Sequence, residues 1–272
     1  MLPDIEPDPR PASGQEPGPD SAGDPGEHSA SGPGAGRDVG AIVARLIADE
    51  DSGSGSSRRR ELGSLTGALA ASARTAGRAS VLGGRWLTDL LIDAAPRVPL
   101  RDLPTLRAQH PGLPDEDLAE ALISGAAKAT AAVGAAGGAL AAVEFAAPPT
   151  LLSTPFQIAA ETLLIAAIEI KLIGELHEVY GAAATGSSRQ RAVAYLASWT
   201  NRRAIDPLDD STRRLSLGPA AKVALRRRMI RRAGRNLSTM GPLMSGALAG
   251  SVLNHRETRK LGEQIRTGLR RR

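Results

Sequence analysis

Few side chains in this sequence have the chemistry needed for catalysis or metal binding. The 272 residues include no cysteine, which excludes disulfides, thiol nucleophiles and cysteine-ligated zinc or iron–sulfur sites. The four histidines are far apart, at His28, His110, His177 and His255. The usual helical metal site needs two histidines four residues apart, and no such pair exists. We therefore expect no catalytic residues, no metal site and no cofactor.

The common motifs for phosphate binding and acyl transfer are missing as well. No Gly-Lys dipeptide occurs, which excludes a P-loop as a sequence match. Neither G-x-G-x-x-G nor G-x-S-x-G occurs, which excludes the dinucleotide fingerprint and the nucleophile elbow. A helical enzyme stays open as an alternative, because a helical bundle can build a site that has no local motif.

One group of polar side chains interrupts an otherwise apolar segment. Its members are Glu161, Glu169, Glu175, His177 and Glu178. We predict that Glu175 to Glu178 form the solvated end of a helix. Glu161 and Glu169 lie inside the apolar run, so we predict two buried carboxylates that pair with Arg or Lys from other helices, since a lone buried carboxylate is costly.

The elements that must position these residues are helices. Glycine and proline recur at intervals and no segment alternates with a period of two, so the sequence predicts an all-α fold. The predicted helices are 62–79, 82–94, 103–110, 115–147, 154–180 and 188–203, followed by two or three more at about 219–239, 242–254 and 255–270. A capping box at Ser187 to Gln190 should open one of these helices, and Gly181 should end another.

Three regions follow from composition and charge. Residues 1–38 contain eight acids and two arginines, few large apolar side chains and much Pro and Gly, which predicts a disordered acidic tail. Residues 39–60 should form a short helix and a Ser/Gly/Arg linker that contains Arg58 to Arg60. Residues 61–272 should form the helical domain, and its last part, 211–272, carries sixteen bases against two acids.

The two longest predicted helices form a Gly/Ala-rich hairpin whose turn, Pro148 to Pro155, has no charge. A soluble surface turn is usually polar, so the hairpin over 119–174 is either buried in protein, re-entrant or interfacial in a membrane, or a spanning pair. Glu161, Glu169 and Lys171 argue against the spanning pair, because each charge at the centre of a span costs roughly 2.5–3.5 kcal/mol.

Glycines spaced four apart occur in two of the predicted helices. Gly134 and Gly138 lie in the first helix of the hairpin, and Gly246 and Gly250 lie near the C-terminus. Small residues at this spacing let two helix backbones approach closely. We predict that these four glycines pack the two helices against each other.

A basic amphipathic helix is predicted between Pro219 and Leu237. Arg227, Arg228, Arg231 and Arg235 gather opposite an apolar stripe. Such a face suits an anionic membrane surface or an acidic protein, or is a solvated surface. Nucleic acid is the less favoured partner, because no aromatic side chain lies among the arginines to stack on bases.

The order of these features resembles the EcsC-type proteins, a bacterial family named after an accessory component encoded beside an ABC transporter. The resemblance covers about residues 80–272. It rests on the Gly134 to Gly138 helix, on the Glu/Ile-rich helix that ends in Tyr180-Gly181, and on Gly246-x-x-x-Gly250-x-x-x-Asn254 running into Thr258-Arg259. It implies an all-helical, membrane-associated protein and supplies no catalytic residues.

Together these features favour a non-enzymatic protein that lies in the cytoplasm, peripheral to the inner membrane. Its expected partner is an anionic membrane surface or a membrane protein such as a transporter, with the oligomeric state open. The alternative is a soluble module whose basic C-terminal helices bind an acidic protein or nucleic acid.

Overall fold

The chain folds into packed helices. The computed structural model describes residues 33–48, 55–77, 80–81, 85–146, 154–204, 223, 225–227 and 245–271. The helices are α1 (Pro33–Ala48), α2 (Gly55–Ala76), α3 (Arg85–Ala94), a 3₁₀ turn (Ala95–Arg97), α4 (Leu103–Gln109), α5 (Asp115–Ala146), α6 (Thr154–Val179), α7 (Ser188–Ala204) and α8 (Ser245–Arg270). No strand occurs within those ranges, so the predicted all-α fold is confirmed.

Two local signals in the sequence set helix ends as predicted. Ser187 Oγ accepts a hydrogen bond from the backbone N–H of Gln190, and Gln190 Oε1 accepts one from the N–H of Ser187, which completes the capping box of α7. Gly181 has a φ of 63°, and the next N–H, that of Ala182, donates to the carbonyl of His177. This left-handed residue ends α6 and turns the chain toward α7.

Helix α6 lies at the centre of the structure and contacts each of the other described helices. Every residue from 157 to 176 is buried. A helix that is apolar on all sides has to be covered on all sides, and here the neighbouring helices provide that cover. Protein therefore surrounds the second helix of the hairpin. The uncharged turn at 147–153 lies outside the described residues.

None of the described helices is long and apolar enough to cross a membrane.

The helical domain begins earlier than the predicted start at residue 61. Val39, Val43 and Ile47 lie on one face of α1 and are at most 1% exposed, packed against α2, α3 and α6. Residues 33–38, predicted to belong to the tail, lie in α1, and Arg58 to Arg60, predicted to lie in a linker, are helical in α2. The buried stripe of α1 explains the difference, because it makes that helix part of the core. Residues 1–32 lie outside the described ranges.

The C-terminal helices also differ from the prediction. The expected break between 254 and 255 is wrong, because α8 runs unbroken from Ser245 to Arg270. No proline lies in this segment, and its buried residues keep helical spacing from Asn254 to Leu269. Helix α8 runs antiparallel along α5, with Gly250 beside Gly134 and Arg270 beside Glu116. The predicted helix 219–239 lies outside the described residues except for 223 and 225–227, where Leu225 is buried.

Candidate functional site

The glycines let α5 approach its neighbours closely. A Cβ added to Gly134 would lie 2.9 Å from the carbonyl oxygen of Gly250 and 2.6 Å from Nδ2 of Asn254. Because neither contact leaves room for a side chain, Gly134 and Gly250 bring the two backbones together. Gly138 is half-buried one turn further along α5. Gly246 lies in the first turn of α8, where the surroundings of the residue are not described.

The neighbouring glycine, Gly137, faces α6 instead of α8. A Cβ there would overlap Oε1 of Glu161, so this glycine makes the space that the carboxylate occupies. Glu161 is 1% exposed and accepts a hydrogen bond of 3.2 Å from Nε2 of Gln157, which also donates to the carbonyl of Gly137. Gly137 was not predicted as a contact residue, although it lies three residues after Gly134 in the sequence.

The second carboxylate of the apolar run, Glu169, holds three helices together. It is fully buried and accepts hydrogen bonds from Trp199 Nε1 (2.8 Å), Arg203 Nε (3.1 Å) and Thr258 Oγ1 (2.9 Å). Arg203 Nη2 also donates to it, which makes the arginine contact bidentate. Both oxygens are thus satisfied by donors from α7 and α8, as a buried charge requires.

Arg203 in turn is held as a cation. Burial by itself would lower the pKa of Arg203, but attraction to Glu169 and the hydrogen bonds with it, helped by Glu257, raise that pKa above its ordinary value. Thr258 also accepts from Thr130 Oγ1 at 2.9 Å, and Asn254 Nδ2 donates to the Thr130 carbonyl at 3.2 Å. The hydrogen-bond network therefore continues into α5. Its geometry indicates that it stabilises the packing of these helices.

The prediction that Glu175 lies at a solvated helix end is wrong. Glu175 is 2% exposed and accepts hydrogen bonds of 2.7 and 2.8 Å from Arg101, while Lys171 Nζ lies 3.3 Å from its Oε1. Only His177 and Glu178 of the predicted group at this end of α6 are in partial contact with solvent, and both are half-buried. Lys171, one turn before Glu175, was the available signal for this ion pair.

The outer face of α8 carries a different set of residues. Leu248, Val252, Arg256 and Lys260 follow one another at intervals of four, and all are exposed. Leu248 is 68% and Val252 47% exposed, which is unusual for large aliphatic side chains in this structure. We call these four residues the outer stripe. Its first half, Leu248 and Val252, is apolar and lies nearer the C-terminal end of α5. Its second half, Arg256 and Lys260, is basic.

The arginines predicted to bind an anionic surface fall mostly beyond what the structure describes. Arg227 is half-buried, and Arg228, Arg231 and Arg235 lie outside the described residues. Exposed bases on α8, above all Arg256 and Lys260, were not assigned to a binding surface from the sequence, although a helical wheel of 245–270 would have placed both on one face.

Within the described ranges, no group of three or more His, Asp or Glu side chains is arranged to hold a metal ion. No protein-family model matches this chain, and no curated protein and no solved structure matches it significantly. The candidate site is therefore defined by the structure alone. Among the groups of residues described in this section, the outer stripe of α8 is the one that is accessible to a partner.

Proposed function

We propose that this protein is a non-enzymatic helical protein that associates peripherally with the inner, anionic face of a membrane through the outer stripe of α8. The single observation that carries the proposal is the exposure of Leu248 and Val252 on the same helix face as Arg256 and Lys260. Helices that lie at a membrane interface combine these two kinds of side chain on one surface.

The spacing of the outer stripe suits a bilayer interface. Because an α-helix rises about 1.5 Å per residue, Arg256 and Lys260 lie about 6 and 12 Å along the axis from Val252. Interfacial helices bury their apolar side chains roughly 5–10 Å into the boundary between headgroups and acyl chains. A tilted α8 would place Leu248 and Val252 at that depth and keep the two bases among the phosphates.

The sequence around the apolar half supports the same orientation. Residues 145–160, from the last two residues of α5 to the first two turns of α6, contain no charged side chain, and neither do residues 241–250. The antiparallel packing of α5 and α8 places the described parts of these segments that lie at the end of α5, 145–146, and at the start of α8, 245–250, on one side of the structure. An uncharged end beside a basic helix favours an anionic bilayer over an acidic protein, whose surface would present charge to that end.

The test is flotation of the full chain with vesicles of phosphatidylcholine alone or mixed with phosphatidylglycerol. We expect binding to the mixed vesicles that weakens as salt is added, because exposed charges are screened. The double variant Arg256→Glu with Lys260→Glu should reduce the apparent affinity for the mixed vesicles roughly tenfold or more, since each base near the surface supplies about 1 kcal/mol and reversal adds repulsion.

A second variant and a control separate the two halves of the stripe. Leu248→Ser with Val252→Ser should weaken binding at every salt concentration, because it removes the inserted surface and leaves charge unchanged. The matched control reverses Arg85 and Arg189, two exposed arginines in the first turns of α3 and α7, where glutamate suits the helix dipole. Equal binding to both vesicle types, or an equal loss in the control, would refute the proposal. Binding to RNA or an acidic peptide in place of vesicles would favour the alternative.

A further inference from the structure

The outer stripe of α8 also matches a segment of this chain that lies outside the described residues. Residues 1–32, which precede α1 in the sequence, contain seven acids and one arginine. We propose that residues 2–8, Leu-Pro-Asp-Ile-Glu-Pro-Asp, dock along the outer stripe of the same chain. We call them the docking segment. Leu2 and Ile5 lie on the apolar half of the stripe, and Asp8 lies on its basic half.

The basic half of the stripe carries charge that the acids of α8 do not offset. These acids, Glu257 and Glu263, lie 3.8 and 2.7 Å from arginines that are not part of the stripe. Arg256 and Lys260 are exposed on the outer face. The sequence before α8 adds to their charge, since residues 211–244 contain nine bases and no acid. Charge complementarity therefore favours an acidic occupant.

The spacing of the docking segment matches that of the stripe. Three prolines in or directly after it restrict the residues that precede them to extended backbone, which favours a polyproline II conformation. This conformation has three residues per turn and rises about 3.1 Å per residue, so Leu2, Ile5 and Asp8 share one face and span about 19 Å. The stripe spans about 18 Å from Leu248 to Lys260, because an α-helix rises about 1.5 Å per residue.

The chain between the docking segment and α1 is long enough to reach α8. Residues 9–32 form this connection. A random coil of this length spans roughly 25–30 Å on average, and a fully extended chain spans about 80 Å. A domain of this size is roughly 45 Å across. Because a tether of this kind gives an effective concentration of about a millimolar, the segment of the same chain is favoured over that of a second copy.

Docking and membrane binding exclude each other, because both use the exposed side chains of the outer stripe. The apparent affinity for vesicles is then reduced by the fraction of chains whose stripe is open. The docking segment thereby acts as an intramolecular competitor of anionic lipid. This consequence rests on the proposed function, whereas docking itself needs no membrane.

The first experiment is carbodiimide cross-linking of the full chain, which joins a carboxylate to a lysine amine where the two groups are in contact. We expect links from the acids of the docking segment to Lys260, with a yield that falls at least threefold in high salt. Lys128, an exposed lysine of α5, is the internal control and should link at least fivefold less. Equal links to Lys128, links mainly from residues 16–27, or no link to Lys260 would each overturn the proposal.

Cross-linking of mixed unlabelled and ¹⁵N-labelled chains identifies which chain supplies the segment. Docking within one chain joins peptides of the same isotope composition at every protein concentration. Links between labelled and unlabelled peptides, in the proportion expected for random exchange, would assign the stripe to the segment of a second copy and would contradict docking within the chain.

Two variants test the two halves of the contact, and a third is the matched control. Arg256→Gln removes one base and keeps the Lys260 amine, so the link to Lys260 should fall at least threefold. Leu2→Ser with Ile5→Ser keeps every carboxylate and should lower the same link at least twofold, because it removes the apolar contact. Arg189→Gln, at an exposed arginine of α7, should leave the link unchanged. An equal loss in this control, or no loss in the other two variants, would show diffuse attraction in place of docking.

The consequence for membrane binding is measured separately, by flotation with the mixed vesicles. Neutralising the three acids of the docking segment should raise the affinity at least threefold. The matched control, Asp20→Asn with Asp24→Asn and Glu27→Gln, removes the same charge farther along the chain and should raise it much less. Equal rises would show that only net charge matters and would overturn the docking. If no form of the chain binds vesicles, the proposed membrane function fails, and the cross-links to Lys260 still decide the docking.

Discussion

The interface between α5 and α8 has two ends that are held together by different means. At one end Gly134 lies against Gly250, and the buried pair of Glu169 and Arg203 adjoins Thr258. At the other end Glu116 and Glu120 of α5 form partly exposed ion pairs with arginines of α8. We call these the glycine end and the charged end.

The difference shows that burial changes how much an arginine–carboxylate contact contributes to stability. Both ends contain bidentate or paired arginine–carboxylate contacts, but Glu169 is fully buried while the Glu120 side chain is 39% exposed. Water can replace a lost partner at the charged end and cannot do so at the glycine end. The glycine end should therefore determine stability and register, and the charged end should contribute little.

The largest expected effect is at Glu169. Glu169→Gln removes the nearer counter-charge of the buried Arg203 and leaves only Glu257, whose Oε2 lies 3.8 Å from Nη1, so the free energy of unfolding should fall by about 3–5 kcal/mol. The measurement is denaturant unfolding followed by circular dichroism. The double variant Glu169→Met with Arg203→Met should recover part of this loss, because no uncompensated charge remains, but not all of it, because Trp199 Nε1 keeps no acceptor. A loss below about 1 kcal/mol in Glu169→Gln would show that water reaches the pair.

A smaller loss is expected from the glycine contact itself. Gly134→Ala places a Cβ against the Gly250 backbone, which cannot move as a side-chain end would, so unfolding should become easier by about 1–3 kcal/mol. Gly67→Ala is the matched control, because Gly67 is exposed in α2 and a Cβ there has no neighbour within 4 Å. That control should gain up to about 1 kcal/mol from helix propensity. A gain in both variants would place Gly134 outside any tight contact.

The glycine end shows why only part of the site could be predicted from the sequence. Spacing identified α5 and α8 as helices able to approach closely, but α5 contains Gly134, Gly137 and Gly138, and spacing alone does not say which of them faces which neighbour. In the structure Gly134 faces α8 and Gly137 faces Glu161 of α6. Gly262 lies against Ile123, but no glycine is four residues away from it, so spacing could not predict this contact.

The partners of buried charges and the start of the helical domain were also hard to predict, because both depend on contacts between residues far apart in the sequence. Glu169 could be predicted as buried because apolar residues flank it, but Arg203, its partner, is 34 residues away and looks like any basic helix end. Glu175 looked solvated because Glu178 and His177 follow it, and its contact with Arg101, 74 residues earlier in the chain, could not be predicted from spacing. For α1, the spacing of Val39, Val43 and Ile47 predicted a helix, whereas its place in the core depends on packing against α3.

At the charged end, replacing a glutamate by glutamine should lower stability much less than it does at Glu169. Glu120→Gln removes the partner of Arg259 and of Arg266 Nη1, which lies 3.0 Å away. Because these side chains are partly exposed, the free energy of unfolding should fall by less than about 1 kcal/mol, and the difference should shrink further in high salt. The check is denaturant unfolding of parent and variant at low and high salt. A loss as large as that of Glu169→Gln would contradict the distinction between the two ends.

The smallest effect should be the pH dependence of the contact at Glu116. Hydrogen bonds from Arg270 lower the pKa of Glu116 below its ordinary value of 4.5, although burial opposes this, and Tyr180 adds a further hydrogen bond of 3.1 Å. A carboxylate with a lowered pKa stabilises the fold above its unfolded pKa, and this stabilisation is lost as the pH falls through the folded pKa. Parent and Glu116→Gln should therefore differ in Tm by less than about 2 °C at pH 7 and converge below pH 4.5.

The contribution of Arg270 to that difference can be separated from the dipole of α5, because Glu116 also lies in the first turn of this helix. In an Arg270→Gln background the dipole remains and the hydrogen-bonded cation is gone. If the ion pair lowers the pKa, adding Glu116→Gln to that background should change the Tm at neutral pH by less than it does in the parent, and the midpoint of this Tm difference on acidification should move up toward 4.5. An unchanged midpoint would assign the shift to the helix end, and the charged end would then owe its weak pH dependence to α5 alone.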